Sequence, residues 1–178
     1  MPHRDEPCTS GILTLIGFGA NVGNPTQDAE GNCREAVGIL RQLKGFRLLA
    51  TSALYRTEPI GYTNQPWFIN GVVLGETVLS PRDLLRALLD VEKTFGRVRT
   101  TRWGPRPLDL DIIFYGNLVM DSKDLVIPHP RAHERRFVLE PAYEVCPDYV
   151  HPVLGVSVRE LLHRPEVQAQ DVQRWKSL

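Results

Sequence analysis

The chain has 178 residues, enough for one domain with a single core. Its 21 Lys+Arg and 21 Asp+Glu cancel to a net charge of zero, which argues against a general binder of nucleic acid or of anionic membranes, since both need a basic excess. No apolar run approaches the length of a bilayer span, and the three cysteines, Cys8, Cys33 and Cys146, are odd in number, lack metal-ligand spacing and read as free thiols of a reducing, cytoplasmic compartment.

Met1 to Ser10 is polar with no apolar core behind its charges, so it reads as a tail and not as a secretory signal. Gly11 to Ile16 is an apolar first strand. The following Gly17-Phe18-Gly19-Ala20-Asn21-Val22-Gly23 reads as a glycine turn leaving that strand. It nearly mimics a dinucleotide loop, but its third glycine comes one residue late and no acid ends the next apolar run. Asn24, Pro25 and Gln27 predict a helix start. Ala29, Cys33, Ala36, Val37, Leu40 and Leu43 supply its stripe, and Gly45 its end. Phe46 to Tyr55 is a second strand, Arg56 to Pro66 a loop, and Phe68 to Thr77 a third strand. Phe68 and Asn70 are two apart and share a face; they read either as packing and a turn signal or as a ring and an amide that together suit a flat heterocycle.

Ser80-Pro81 with Asp83 predicts the start of a second helix, with Leu84, Leu88, Val91 and Phe95 as its stripe and Gly96 as its stop. Glu92 near its end reads either as a solvated helix glutamate or as a group beside a nucleotide. The loop from Gly96 to Pro107 carries Arg97, Arg99, Arg102 and Arg106 and no acid. Then Asp109 and Asp111 alternate with Leu108, Leu110 and Ile112, a period of 2 that predicts a fourth strand to about Tyr115. Both carboxylates leave one face, roughly 6.5–7 Å apart along the strand. They repel unless a cation lies between them, and Mg²⁺ is commonly held by one or two carboxylates plus substrate phosphates. The arginines just upstream would grip the rest of a polyphosphate in guanidinium forks.

The order strand, helix, strand, strand, helix, strand predicts an α+β fold of the ferredoxin-like, split βαβ kind: an antiparallel sheet with helices packed on one face plus short C-terminal additions. Gly116-Asn117 is a hairpin turn, with a short strand within Leu118 to Val126. His129 and His133 are four apart, yet Pro128 and Pro130 disfavour the regular helix that a metal pair would need. Glu140-Pro141 opens a helix to about Val145, and Ser157 to His163 forms a last short one. One catalytic domain is expected over 11–163, with tails at 1–10 and 164–178.

The run Arg102-Trp103-Gly104-Pro105-Arg106 followed by Leu108-Asp109-Leu110-Asp111-Ile112-Ile113 resembles the signature of the 6-hydroxymethyl-7,8-dihydropterin pyrophosphokinase (HPPK) family of folate biosynthesis. Similarity extends to Gly19-Ala20-Asn21, Tyr55-Arg56-Thr57, Pro59, Gly61, Gln65-Pro66 and Asn70, and spans about Leu13 to Leu162. The resemblance implies ATP as co-substrate and two Mg²⁺ ions on Asp109 and Asp111, with Arg97 and Arg106 neutralising charge at the transferred group. It implies ATP contacts from Arg97, Arg99, Arg102, Arg106, His129 and Arg135. On the pterin side it implies the backbone of Thr57, Glu58 and Ile60, stacking by Phe68, an edge contact from Asn70, Trp103 beside the ligands, and Phe137 closing the stack. His133 matches no functional position of the family and reads as surface structure. Phe68 stands where some members have tyrosine, which keeps the stacking and loses a hydroxyl. Pro130 and Asp124 also depart from the family pattern, and they bear on the adenine and ribose contacts.

ATP and the hydroxymethyl pterin are thus the implied partners, with no nucleic acid and no membrane, and a monomer is expected. There is no G-x-x-x-x-G-K-[ST] loop, so an ATP site here is not of the Walker type. The loop from Gly96 to Pro107 has only Val98 and Trp103 as large apolar residues and reads as a lid closed by bound phosphate. Two other functions compete. A ferredoxin-like RNA-binding module would stack bases on Phe68 or Trp103, but the aromatic-rich RNA-binding strand is missing and paired aspartates repel phosphate without a metal. A metal-dependent phosphohydrolase would differ only in having water as acceptor.

Overall fold

The computed structural model describes residues 11–59, 64–96 and 104–178. The first strand, β1, spans Ile12–Ala20 and runs straight through Gly17 and Gly19. These glycines are therefore strand residues and not a turn. Leaving β1, the chain makes an Asx turn, because the Asn24 carboxamide oxygen accepts from the backbone N–H of Thr26 and Gln27. That local bonding removes Asn24 from the capping role. Helix α1, Ala29–Arg41, starts four residues later on Asp28, whose carboxylate accepts from the Gly31 N–H. It stops at Arg41, and Gly45, at φ 83°, turns the chain into the next strand.

The single strand expected over Phe46 to Tyr55 is broken into β2, Phe46–Thr51, and β3, Leu54–Thr57. Ser52 makes the break by bonding Val72 twice: its backbone N–H donates to the Val72 carbonyl, and its hydroxyl oxygen accepts from the Val72 N–H. Strand β4, Phe68–Thr77, and helix α2, Pro81–Thr94, match expectation; Ser80 caps α2 and Gly96, at φ 78°, follows it. Strand β5 is Asp109–Tyr115. The sheet order is β5-β1-β4, with β2 and β3 in succession along the far edge of β4, all antiparallel. This is the order of the ferredoxin-like split βαβ arrangement. One face packs Ile16, Phe18, Leu110 and Ile112 against Cys33, Val37 and Leu40 of α1 and Leu84, Leu88 and Val91 of α2.

The helical C-terminal additions cover the other face, while Leu125 and Ile127 ahead of them join the first core. A two-stranded ribbon, β6 (Met120–Asp121) and β7 (Val126–Ile127), precedes a 3₁₀ turn at Ala132–Glu134. Helix α3 spans Arg136–Val145 and begins four residues before Glu140, so Pro141 lies inside it. The proline loses one helical bond, and burial of Val138, Leu139 and Ala142 against Leu15, Val72 and Phe114 outweighs that loss. Helix α4, Val158–Leu162, has the Ser157–Glu160 capping box, and α5 is Pro165–Gln168. The last strand, β8, is Val172–Lys176 and pairs antiparallel with β3. Residues 164–178 are therefore not a tail. Their polarity is that of an edge strand largely exposed on both faces.

Candidate active site

The site grows from the alternation in β5. Asp109 stands opposite Gly19 and Asp111 opposite Gly17 of β1, and Gly19 in turn stands opposite Asn70 of β4. Residues opposite each other share a face, so the acids, the glycines and Asn70 face one side while Leu110 and Ile112 are buried on the other. The missing side chains make a trough between the acids and Asn70. A Cβ on Gly19 would lie 2.5 Å from Asn70 Oδ1, and one on Gly17 3.2 Å from Ile113 Cδ1. Two glycines at i and i+2 of one strand were the signal in the sequence for this floor.

Thr57, Glu58, Phe68, Arg135 and Phe137 line the pocket over this trough. His129, Arg106, Asp109 and Asp111 line the same pocket. Asn70 Nδ2 lies 2.7 Å from Thr57 Oγ1, which orients the amide. Expected site residues Ile60, Arg97, Arg99, Arg102 and Trp103, and with them most of the expected lid, lie outside the described residues.

Charge is distributed unevenly. Arg106 pairs with Asp109 through Nη1 and Oδ2, while Asp111 is exposed toward the trough. Arg135 has its pKa lowered by burial and by Arg131. His129 is pushed down to about 4, first by burial and then by Arg135. It is therefore neutral near pH 7. Its Nδ1 accepts from the Arg131 N–H at 3.2 Å, which leaves Nε2–H as a donor. Among the described residues no group of three or more His, Cys, Asp or Glu side chains is arranged to hold a metal. A pair of carboxylates fits Mg²⁺ completed by water and phosphate, and not a cation caged by protein alone.

The His129 shift has a consequence for stability. Its folded value, about 4, lies below the ordinary 6.5. As pH falls, the unfolded chain is protonated first, so stability is lost between pH 6.5 and 4, by at most about 3 kcal/mol. Denaturant titrations at pH 7 and 4.5 should show a smaller pH effect for His129→Gln than for the parent; equal effects would place the acid sensitivity elsewhere.

Three residues take roles that sequence reasoning missed or left open. Asn21, 3% exposed, donates to Gln65 Oε1 and to the Pro66 carbonyl and accepts from the Arg106 N–H. It clasps the approaches to both loops of the site. Asn32, fully buried on α1, donates to the carbonyls of Val22 and Pro107 beneath it. Glu92 is buried and accepts from the Leu110 N–H at 2.8 Å, so it anchors the start of β5. The two histidines do not form a metal pair. His129 faces the pocket, and His133 packs edge-on to His151 with centroids 5.7 Å apart.

Comparison with known proteins gives the family. Residues 15–147 match the model of the 7,8-dihydro-6-hydroxymethylpterin-pyrophosphokinase (HPPK) family. The 2-amino-4-hydroxy-6-hydroxymethyldihydropteridine pyrophosphokinase of Synechocystis is 40% identical over 155 residues, covering 87% of this chain and 77% of that protein. The enzyme of the same name from Methylorubrum extorquens is 42% identical over 147 residues, 83% of this chain and 89% of that protein. The folic acid synthesis protein fol1 of Schizosaccharomyces pombe is 40% identical over 162 residues, 91% of this chain, but the chain spans only 21% of that longer protein. In structure the chain resembles Plasmodium falciparum HPPK-DHPS, with a TM-score of 0.67 at 15% identity, over 85% of this chain and 44% of that one. Pocket, signature strand and matched span coincide, and the chain belongs to the 7,8-dihydro-6-hydroxymethylpterin-pyrophosphokinase family.

Proposed function

We propose that the protein transfers pyrophosphate from ATP to the hydroxymethyl group of 6-hydroxymethyl-7,8-dihydropterin, giving AMP and the pterin diphosphate in folate biosynthesis. The observation that carries the reading is one trough with different chemistry on its two flanking strands. The β5 side carries Asp109 and Asp111, and the β4 side, across β1, carries Phe68 and Asn70. The pterin ring lies between Phe68 and Phe137 with its edge on Asn70 and on the backbone of Thr57 to Ile60. The triphosphate lies toward Asp109 and Asp111, gripped by Arg106, Arg135 and the arginines of 97–102, with the His129 Nε2–H as a neutral donor. Mg²⁺, two ions held through Asp109 and Asp111, supplies neutralisation of the phosphate charge. The pterin hydroxyl oxygen attacks the β-phosphorus, the bond to the α-phosphate oxygen breaks, AMP leaves with the electron pair, and the hydroxyl proton passes to solvent. Arg97 and Arg106 offset the charge that develops on the transferred group, so catalysis is positioning and electrostatics. Free, buried Cys33 and Cys146 support a reducing compartment, the cytoplasm.

The test is product analysis with ATP, Mg²⁺ and the pterin. Equimolar AMP and pterin diphosphate are expected. Phosphate release to water with no pterin product would favour a phosphohydrolase. Asn21→Ala should lower kcat/KM by about tenfold, because it removes the clasp on both loops and leaves the Arg106 N–H without its acceptor. Unchanged steady-state constants would mean that the loops are placed without it.

A further inference from the structure

We propose that the C-terminal strand β8, acting through Glu144, is a positioning element for the pterin half of the site: it holds the separation between Phe137 on α3 and the Thr57 end of β3. The proposal rests on the pyrophosphokinase reading and assigns a role to a segment which that reading does not use.

Glu144 lies seven residues after Phe137 on α3. Seven residues are two helical turns, so both side chains leave the same helix face, about 10 Å apart along the axis. Tyr55 and Thr57 are likewise two apart on one face of β3. Glu144 joins the two elements. Its Oε2 accepts from the Ala53 N–H at 2.6 Å, and its Oε1 accepts from the Tyr55 hydroxyl at 2.7 Å. The pterin slot lies further along the same gap, where Phe137, Thr57 and Phe68 line the pocket. A helix and a strand clasped at one end have their spacing set at the other.

Strand β8 completes the clasp from both faces of the sheet. On the α3 face, Arg174 stands opposite Tyr55 and its Nε donates to Glu144 Oε1 at 3.0 Å. On the α1 face, the Arg56 guanidinium lies over the ring of Trp67 at 4.8 Å and over that of Trp175 at 5.2 Å. Trp175 Nε1 and Lys176 Nζ then donate to Glu30 on α1. Ahead of β8, Arg136 at the start of α3 donates to the carbonyls of Gln168 and Gln170. The segment thus bonds to both walls of the slot. Burial alone would raise the Glu144 carboxyl, but the Ala53 N–H, Tyr55 and Arg174 outweigh it and lower its pKa.

The test compares Glu144→Ala, Glu144→Gln and Arg174→Ala with Arg47→Ala, which breaks an exposed ion pair to Glu76 on another strand. The readouts are KM for the pterin, KM for ATP, kcat and the thermal midpoint. Glu144→Ala should raise the pterin KM by about tenfold, because it leaves the N–H of buried Ala53 without an acceptor. The ATP KM should stay within about twofold, since β8 bonds to no described residue at the acidic end. Arg174→Ala should raise the pterin KM by about threefold. Glu144→Gln should match Arg174→Ala, because an amide oxygen still accepts from Ala53, and Arg47→Ala should match the parent. If Glu144→Ala does not fold, the other two variants decide. Unchanged pterin KM in them, or equal losses for both substrates, would overturn the positioning role. A parent protein without AMP-forming activity would overturn the pyrophosphokinase reading itself, and this proposal with it.

Discussion

Asp109→Ala and Asp111→Ala should each leave a folded protein with turnover reduced by at least about a thousandfold. The two acids are i and i+2 on β5, both face the trough, and no third acidic, histidine or cysteine side chain among the described residues joins them as a metal site. Each therefore carries a large share of the proposed Mg²⁺ binding, and the remaining acid alone makes a poor bridge for a triphosphate. Folding should survive for different reasons in the two variants. Asp111 is exposed, where charged contacts add little to stability. Asp109 loses its pairing with Arg106, at a cost of no more than about 1 kcal/mol for a pair near the surface. Calorimetry with ATP, with and without Mg²⁺, and thermal unfolding together check this. Near-normal turnover in either variant would remove the two-metal reading.

Phe137→Ala should weaken pterin binding by about 1–3 kcal/mol, the range for stacking a base on an aromatic ring. ATP affinity should change much less. Phe137 is only partly buried and lines the pocket, so its truncation enlarges a slot that is already open. The stability loss should therefore fall well below the roughly 3–5 kcal/mol of a phenylalanine removed from a closed core. The Arg135 guanidinium lies 5.5 Å over the Phe137 ring, so the variant also frees that arginine, a small effect on the phosphate side. Equal losses for the two ligands in calorimetry would mean that Phe137 supports the fold and does not stack.

The parts of this protein that were legible in its sequence are those fixed by contacts within a few residues. The alternation of Asp109 and Asp111 with apolar neighbours sent the acids to one face and Leu110 and Ile112 to the core. Ser80-Pro81 started α2, Ser157 and Glu160 started α4, and β4 began and ended where its patterning did. The Arg102 to Ile113 run was specific enough to indicate the family. Such signals work because a cap, a strand period or a short signature is complete within one window of sequence. Tertiary structure decided what no window contains. Asn21 and Arg106 are 85 positions apart, and only the closed sheet makes them partners. Gly17 and Gly19 became the floor of a trough because β5 and β4 flank them. Ser52 and Ala53 broke a strand because Val72 and Glu144 came within bonding distance. Residues 172–176 look like polar tail until β3 presents an open edge, whose unpaired backbone groups recruit any chain that can reach them.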